Sequence, residues 1–111
     1  LGYIGSHVTS LLLEQKIDVI CIDNLDNSKF EVLDGINKIT SKSPLFKNLD
    51  IKDKAKVECL FKEHDDIQAI IHFAAHKSVT ESLEKPLSYY NNNIIDVCIC
   101  VETEKNINRW I

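Results

Sequence analysis

The chain has 111 residues, enough for one domain, and its 44% apolar and 27% charged content is the balance of a soluble globular protein. A formal net charge of -4 offers no basic stripe for a phosphate backbone. The longest apolar runs, Ile94-Ile95 and 97–101, fall far short of the roughly 20 residues that span a bilayer. Nucleic acid and membrane are therefore not expected partners, and no basic-then-apolar leader is visible at Leu1.

Taken in chain order, helix and strand signals alternate, the pattern of βαβ units that build a parallel sheet. A first helix is expected from about Tyr3 to Glu14. The short run Val19-Ile20-Cys21-Ile22, bounded by Asp18 and Asp23, reads as a buried parallel strand, and residues 23–28, "DNLDNS", as a polar loop. Lys29 to Thr40 sets Phe30, Val32, Leu33, Ile36 and Ile39 at helical spacing before Pro44 breaks the pattern, and Leu45-Phe46 opens a short strand. Asp53 to His64 repeats the helical period with Ala55, Val57, Leu60 and Phe61, and Asp53 suits its N-terminal cap or its first turn. Ile67 to Phe73, "IQAIIHF", is the clearest strand. Pro86 fits the first turn of a further helix carrying Leu87, Tyr90 and Ile94 inward. Residues 94–101 suit a buried helix or a strand equally well. No repeat, low-complexity segment or linker stands out.

The four cysteines, Cys21, Cys59, Cys98 and Cys100, include one close pair and no second one, which leaves a structural zinc site incomplete. Scattered among apolar neighbours, they read as small core residues of a reducing compartment, so the cytoplasm is the expected location. His72 and His76 lie four apart without an acid between them and behind a strand-like run, so they read as structural or lining residues and no metal is expected.

Gly2 and Gly5 at the mouth of the first helix fit the last two positions of a glycine-rich phosphate turn. There the helix N–H groups and dipole face an anion. Two glycines three apart also occur in many ordinary loops. Asp23 then closes a strand near the roughly 20-residue offset at which an acid accepts the adenosine ribose hydroxyls, although a turn aspartate is the plainer role for Asp23 alone. Together the two features favour NAD over NADP, because a carboxylate repels a 2′-phosphate.

These residues resemble the UDP-glucose 4-epimerases of the extended short-chain dehydrogenase/reductase class. "GYIGSH", "DNLDNSK", "LDI", "IIHFAAHKSVTES" and "KPLSYYNNN" look like that family's blocks, in its order, from Leu1 to about Ile95. The resemblance implies an α/β fold, a partial NAD-binding Rossmann domain over residues 1–111 with a doubly wound parallel sheet. Its first strand, first turn glycine, later strands and substrate domain are expected to lie outside these residues. It places Gly2, Tyr3, Ile4 and Gly5 at the pyrophosphate, and Asp23, Asn24, Leu25, Asp26, Asn27 and Ser28 around the adenosine ribose. Asp50 and Ile51 border the adenine, the carboxylate accepting from the exocyclic amine and the isoleucine packing on the ring. Phe73, Ala74, Ala75 and His76 lie beneath the cofactor, Lys77 contacts the ribose nearest the nicotinamide, and Asn93 helps hold the cofactor there. Outside this frame, Lys77 is an ordinary surface lysine and the Asn91-Asn92-Asn93 run a turn or cap.

The activity implied is reversible inversion at C4 of a UDP-hexose, with bound NAD accepting and returning the hydride and a tyrosine base removing the hydroxyl proton; the family is often homodimeric. That base belongs to a Tyr-x-x-x-Lys motif. Tyr3, Tyr89 and Tyr90 are instead followed four residues later by His7, Asn93 and Ile94, so no catalytic residue is assigned here. The alternatives are part of another nucleotide-sugar dehydratase or reductase, or a noncatalytic remnant that binds a dinucleotide.

Overall fold

The structure, a computed structural model, describes residues 1–75, 78–90, 92–93 and 109–110. The chain forms two compact units, Leu1–Asp50 and Ile51–Ile111.

The first unit runs α1 (Tyr3–Glu14), β1 (Ile20–Asp23), α2 (Val32–Thr40) and β2 (Leu45–Asn48). The strands pair in parallel with Ile20 opposite Leu45 and Asp23 opposite Asn48. That direction requires a crossover, which α2 supplies. Leu1, Leu13, Leu33 and Ile36 form the buried core, with Val19, Cys21, Leu25, Val32 and Phe46 packed against it. These residues come from both helices and both strands, so the spacing read from the sequence is the spacing that packs. Phe30 meets Phe46 edge to face, with ring centroids 5.5 Å apart.

The end of α1 and the start of α2 are closed by identifiable groups. Past α1, Lys16 adopts a left-handed φ of 63°, the Ile17 N–H donates to Leu12 O at 3.0 Å and the Lys16 N–H to Leu13 O at 3.1 Å. This pair of bonds is the Schellman closure, here without its customary glycine. Lys42 Nζ, just past the end of α2, adds a third tie, donating to Leu13 O at 2.9 Å. The second helix starts three residues later than the expected Lys29. Its approach is a tight turn, with the N–H groups of Val32, Leu33 and Asp34 donating to the carbonyls of Lys29, Phe30 and Glu31, three residues back.

The second unit contains α3 (Lys54–Glu63), β3 (Ala69–Ile70), α4 (Val79–Glu84), α5 (Pro86–Tyr90) and β4 (Arg109–Trp110). Asp53 caps α3 as expected, its Oδ1 accepting from the Lys56 N–H at 3.2 Å. The helix buries Val57, Leu60 and Phe61, a period of three and four. The strand expected over Ile67 to Phe73 narrows to Ala69 and Ile70, which pair in parallel with Arg109 and Trp110. Apolar character extends further than the ladder because pairing is decided by the partner strand.

Two further features depart from the sequence reading. Helix α4 was not anticipated, although Ser78-Val79-Thr80-Glu81 carries a cap signal and the Ser78 hydroxyl accepts from the Glu81 N–H at 3.3 Å. Leu87 and Tyr90, expected to point inward from α5, are 78% and 62% exposed. Their spacing places them on one face of the helix, but no described residue covers that face. Ile94 and residues 94–101 lie outside the described residues.

Candidate dinucleotide site

In the first unit the expected site residues gather at the carboxyl end of the sheet, where α/β folds bind ligands. Gly2 occupies the cap position of α1 in an extended conformation, φ -65° and ψ 175°, and supplies no side-chain hydrogen bond; the first turn carries no acid. The leading N–H groups of α1 are therefore left for an external acceptor. A Cβ built on Gly2 would meet nothing within 4 Å, so the space before the helix is open. Tyr3 and Ile4 are exposed, and Gly5 is half-buried in the first turn.

Asp23 ends β1 beside this helix start, its Oδ2 pairing with the main-chain nitrogen of Leu1. The other oxygen, Oδ1, accepts from the Leu25 N–H at 2.8 Å and from the Ser28 hydroxyl at 2.7 Å. The first of these bonds makes an Asx-turn. It holds Leu25 at a left-handed φ of 64°, a conformation that costs a non-glycine residue about 1–2 kcal/mol. Leucine is tolerated there because its side chain packs on the core. Burial, the largest single influence, raises the pKa of Asp23, but hydrogen bonds from the Leu1 main-chain nitrogen, the Ser28 hydroxyl and the Leu25 amide together hold it below the ordinary value. The carboxylate is thus ionised at neutral pH.

The rest of the loop is internally tied. Asn24 Oδ1 accepts from the Asp26 N–H at 3.1 Å, and its Nδ2 donates to Asp26 Oδ2 at 3.1 Å and to Asp50 Oδ2 at 3.4 Å. Asp50 stands just beyond β2, so this last bond joins the loops that follow two paired strands. Asn27 is exposed. Ordering of Asp23 by Ser28 and bridging by Asn24 were not separable in the sequence, where residues 23–28 read as one polar loop. The signal for the first was a serine five residues after the aspartate.

Ile51, Phe73, Ala74, Ala75 and Asn93 belong to the second unit. Ile51 is half-buried; Phe73, Ala74 and Ala75 are exposed beyond β3. Asn93 Oδ1 accepts from Asn92 Nδ2 at 3.2 Å. Burial lowers the pKa of His72 against a smaller opposing influence from a hydrogen bond with the Ala74 backbone, so its imidazole is neutral at pH 7. His76 and Lys77 lie outside the described residues. Among the described residues no three His, Cys, Asp or Glu side chains gather as a metal ion requires, and no helix is long and apolar enough to cross a membrane.

Comparison with known proteins extends this geometry. The family model described as GDP-mannose 4,6 dehydratase matches residues 1–109. The chain belongs to that family. Within the GDP-mannose 4,6 dehydratase family its relatives include the UDP-glucose 4-epimerase of Schizosaccharomyces pombe, 43% identical over 107 residues, which cover 96% of this chain and 30% of the relative. The Bacillus subtilis UDP-glucose 4-epimerase is 42% identical over 101 residues, 91% of this chain and 30% of the relative. Among solved structures, the Bifidobacterium longum UDP-glucose 4-epimerase in complex with NAD+ and UDP superposes with a TM-score of 0.90 at 36% identity, over 96% of this chain and 32% of that one. The chain therefore has part of a doubly wound Rossmann fold, and it spans about 30% of the length of the curated relatives it matches.

Proposed function

We propose that the chain is the NAD-binding part of a UDP-glucose 4-epimerase. What carries the reading is Asp23: an ionised acid at the carboxyl end of β1, beside a helix start with no cap of its own. Its place is supported by the likeness to an epimerase structure that holds NAD+ and UDP. The residues fit the cofactor. The open space at Gly2 admits a pyrophosphate, and the N–H groups from Tyr3 to Gly5 supply donors. Asp23 accepts from the ribose hydroxyls, within the loop of Asn24, Leu25, Asp26, Asn27 and Ser28. Asp50 and Ile51 take the adenine; Phe73, Ala74, Ala75 and His76 line the floor; Lys77 and Asn93 hold the nicotinamide end. When bound, NAD supplies a reversible acceptor for the hydrogen at C4 of the sugar.

The same reading makes a UDP-hexose the substrate of the whole protein, the cytoplasm its location and a homodimer its assembly. The tyrosine–lysine base is not among these 111 residues, so the role of the chain is to hold and orient. A dehydratase is the second reading, favoured by the description of the family model. The relatives above, named as epimerases at 42–43% identity, favour the first.

Calorimetric titration of the chain with NAD and NADP tests the proposal. NAD should bind about tenfold or more tightly, since a 2′-phosphate beside an ionised carboxylate meets a repulsion of about 1–4 kcal/mol. Asp23→Ala should weaken NAD and erase the preference. Equal affinity for both cofactors in the unaltered chain would refute the role of Asp23.

A further inference from the structure

We infer that Asn24 is a positioning residue that acts through Asp50, setting the preference of the site for adenine. The inference rests on the NAD-binding reading, in which Asp50 accepts from the exocyclic amine of the base.

The side-chain amide of Asn24 is committed to the protein at both ends. Its oxygen takes the Asp26 N–H at 3.1 Å, which fixes the plane of the amide; its nitrogen then reaches Asp26 Oδ2 at 3.1 Å and Asp50 Oδ2 at 3.4 Å. An amide nitrogen has two hydrogens, so the two carboxylates use both. Asn24 is therefore a strut between the loop after β1 and the loop after β2. Asp23 lies opposite Asn48 in the parallel register, so both loops leave the sheet at the same level. A donor is required there, because Asp26 and Asp50 are both acids and a third negative charge would repel both.

With Oδ2 of Asp50 held by Asn24, its rotamer is restricted and the remaining lone pairs have a fixed direction. A carboxylate oriented before the ligand arrives discriminates better than a free one, since no side-chain ordering is left to oppose binding. Asn24 thereby affects the base edge through an intermediary, with no contact of its own to the adenine.

The test compares NAD with nicotinamide hypoxanthine dinucleotide, in which a carbonyl oxygen replaces the exocyclic amine. Affinities are measured calorimetrically on the unaltered chain, Asn24→Ala, Asn24→Asp and Asp50→Ala. Asn24→Ala should weaken NAD by about three- to tenfold while leaving the hypoxanthine analogue within twofold, a split that general loosening of the loop would not produce. Asn24→Asp, nearly isosteric, should lose more, because it sets like charges together. Asp50→Ala should abolish the discrimination, and adding Asn24→Ala to it should cost nothing further. Equal weakening of both dinucleotides by Asn24→Ala, with Asp50→Ala still selective in its effect, would overturn the positioning role alone. Unchanged discrimination in Asp50→Ala would remove Asp50 from the adenine, and the inference with it. Absence of NAD binding by the unaltered chain would overturn both.

Discussion

The hydroxyl of Tyr89 donates to Glu81 Oε2 at 3.0 Å and accepts from the Ser78 N–H at 3.2 Å, so one phenol on α5 fastens the first turn of α4. In a reciprocal capping box the glutamate itself would reach back to that N–H. Here tyrosine stands between the two. Tyr89→Phe removes both bonds without changing the ring, and faster amide hydrogen exchange at Ser78 and through α4 is the expected result.

The same contact is pH-dependent. Loss of water around the hydroxyl, followed by the Glu81 carboxylate, raises the Tyr89 pKa above its ordinary value. Its contribution is therefore full below the ordinary tyrosine value of about 10 and disappears as pH rises through the raised one. A spectrophotometric titration of the phenols should show Tyr89 ionising late, and Glu81→Gln should bring it earlier.

Thiol reactivity should divide the described cysteines. Burial, the largest influence, raises the pKa of Cys21, which packs against the core, whereas Cys59 is exposed. Peptide-resolved alkylation is expected to label Cys59 well before Cys21. Equal rates would mean that β1 opens on the timescale of labelling.

Two substitutions should move stability in opposite directions. Val57 is 1% exposed, and Val57→Ala should cost about 2 kcal/mol through lost burial and an unfilled space. Lys16 holds the left-handed turn after α1, and Lys16→Gly should gain about 1 kcal/mol, since glycine takes that φ freely. Urea midpoints for the two variants check both signs.

The chain alone should show no conversion of UDP-galactose to UDP-glucose with added NAD, because no tyrosine here is followed four residues later by lysine. A chimera in which these residues replace the aligned ones of the Bacillus subtilis epimerase, which is 42% identical over 101 residues, should be active. Turnover by the chain itself, surviving repurification, would place a base among the residues read as cofactor-holding.

The elements of the first unit were legible because periodicity and burial agree there. Leu33 and Ile36 sit on one face of α2, and Ile20 to Asp23 find a partner strand of equal length. Asp53 was legible as a cap because a polar side chain before a helical period has one good use. Leu87 and Tyr90 were misread because a shared helical face does not say what covers it. For the candidate site, the run before Asp23 and its offset from Gly5 pointed to an acid closing a strand, and Asp23 does close β1. The division of its two oxygens between Ser28 and Leu1, and the strut from Asn24 to Asp50, depend on rotamers that no spacing encodes.

The two parallel pairings differ in the length of chain they enclose. Ile20 meets Leu45 across a single short helix, whereas Ala69 meets Arg109 only after a longer excursion. The entropy of closing a loop grows with the logarithm of its length, which separates the two by about 0.4 kcal/mol. Kinetics then favour the first ribbon, whose contacts are also the more local. Asp23 and Asp50 sit at the carboxyl end of that ribbon, so the two acids are brought to the same edge early in folding, and errors in the later pairing leave their spacing intact.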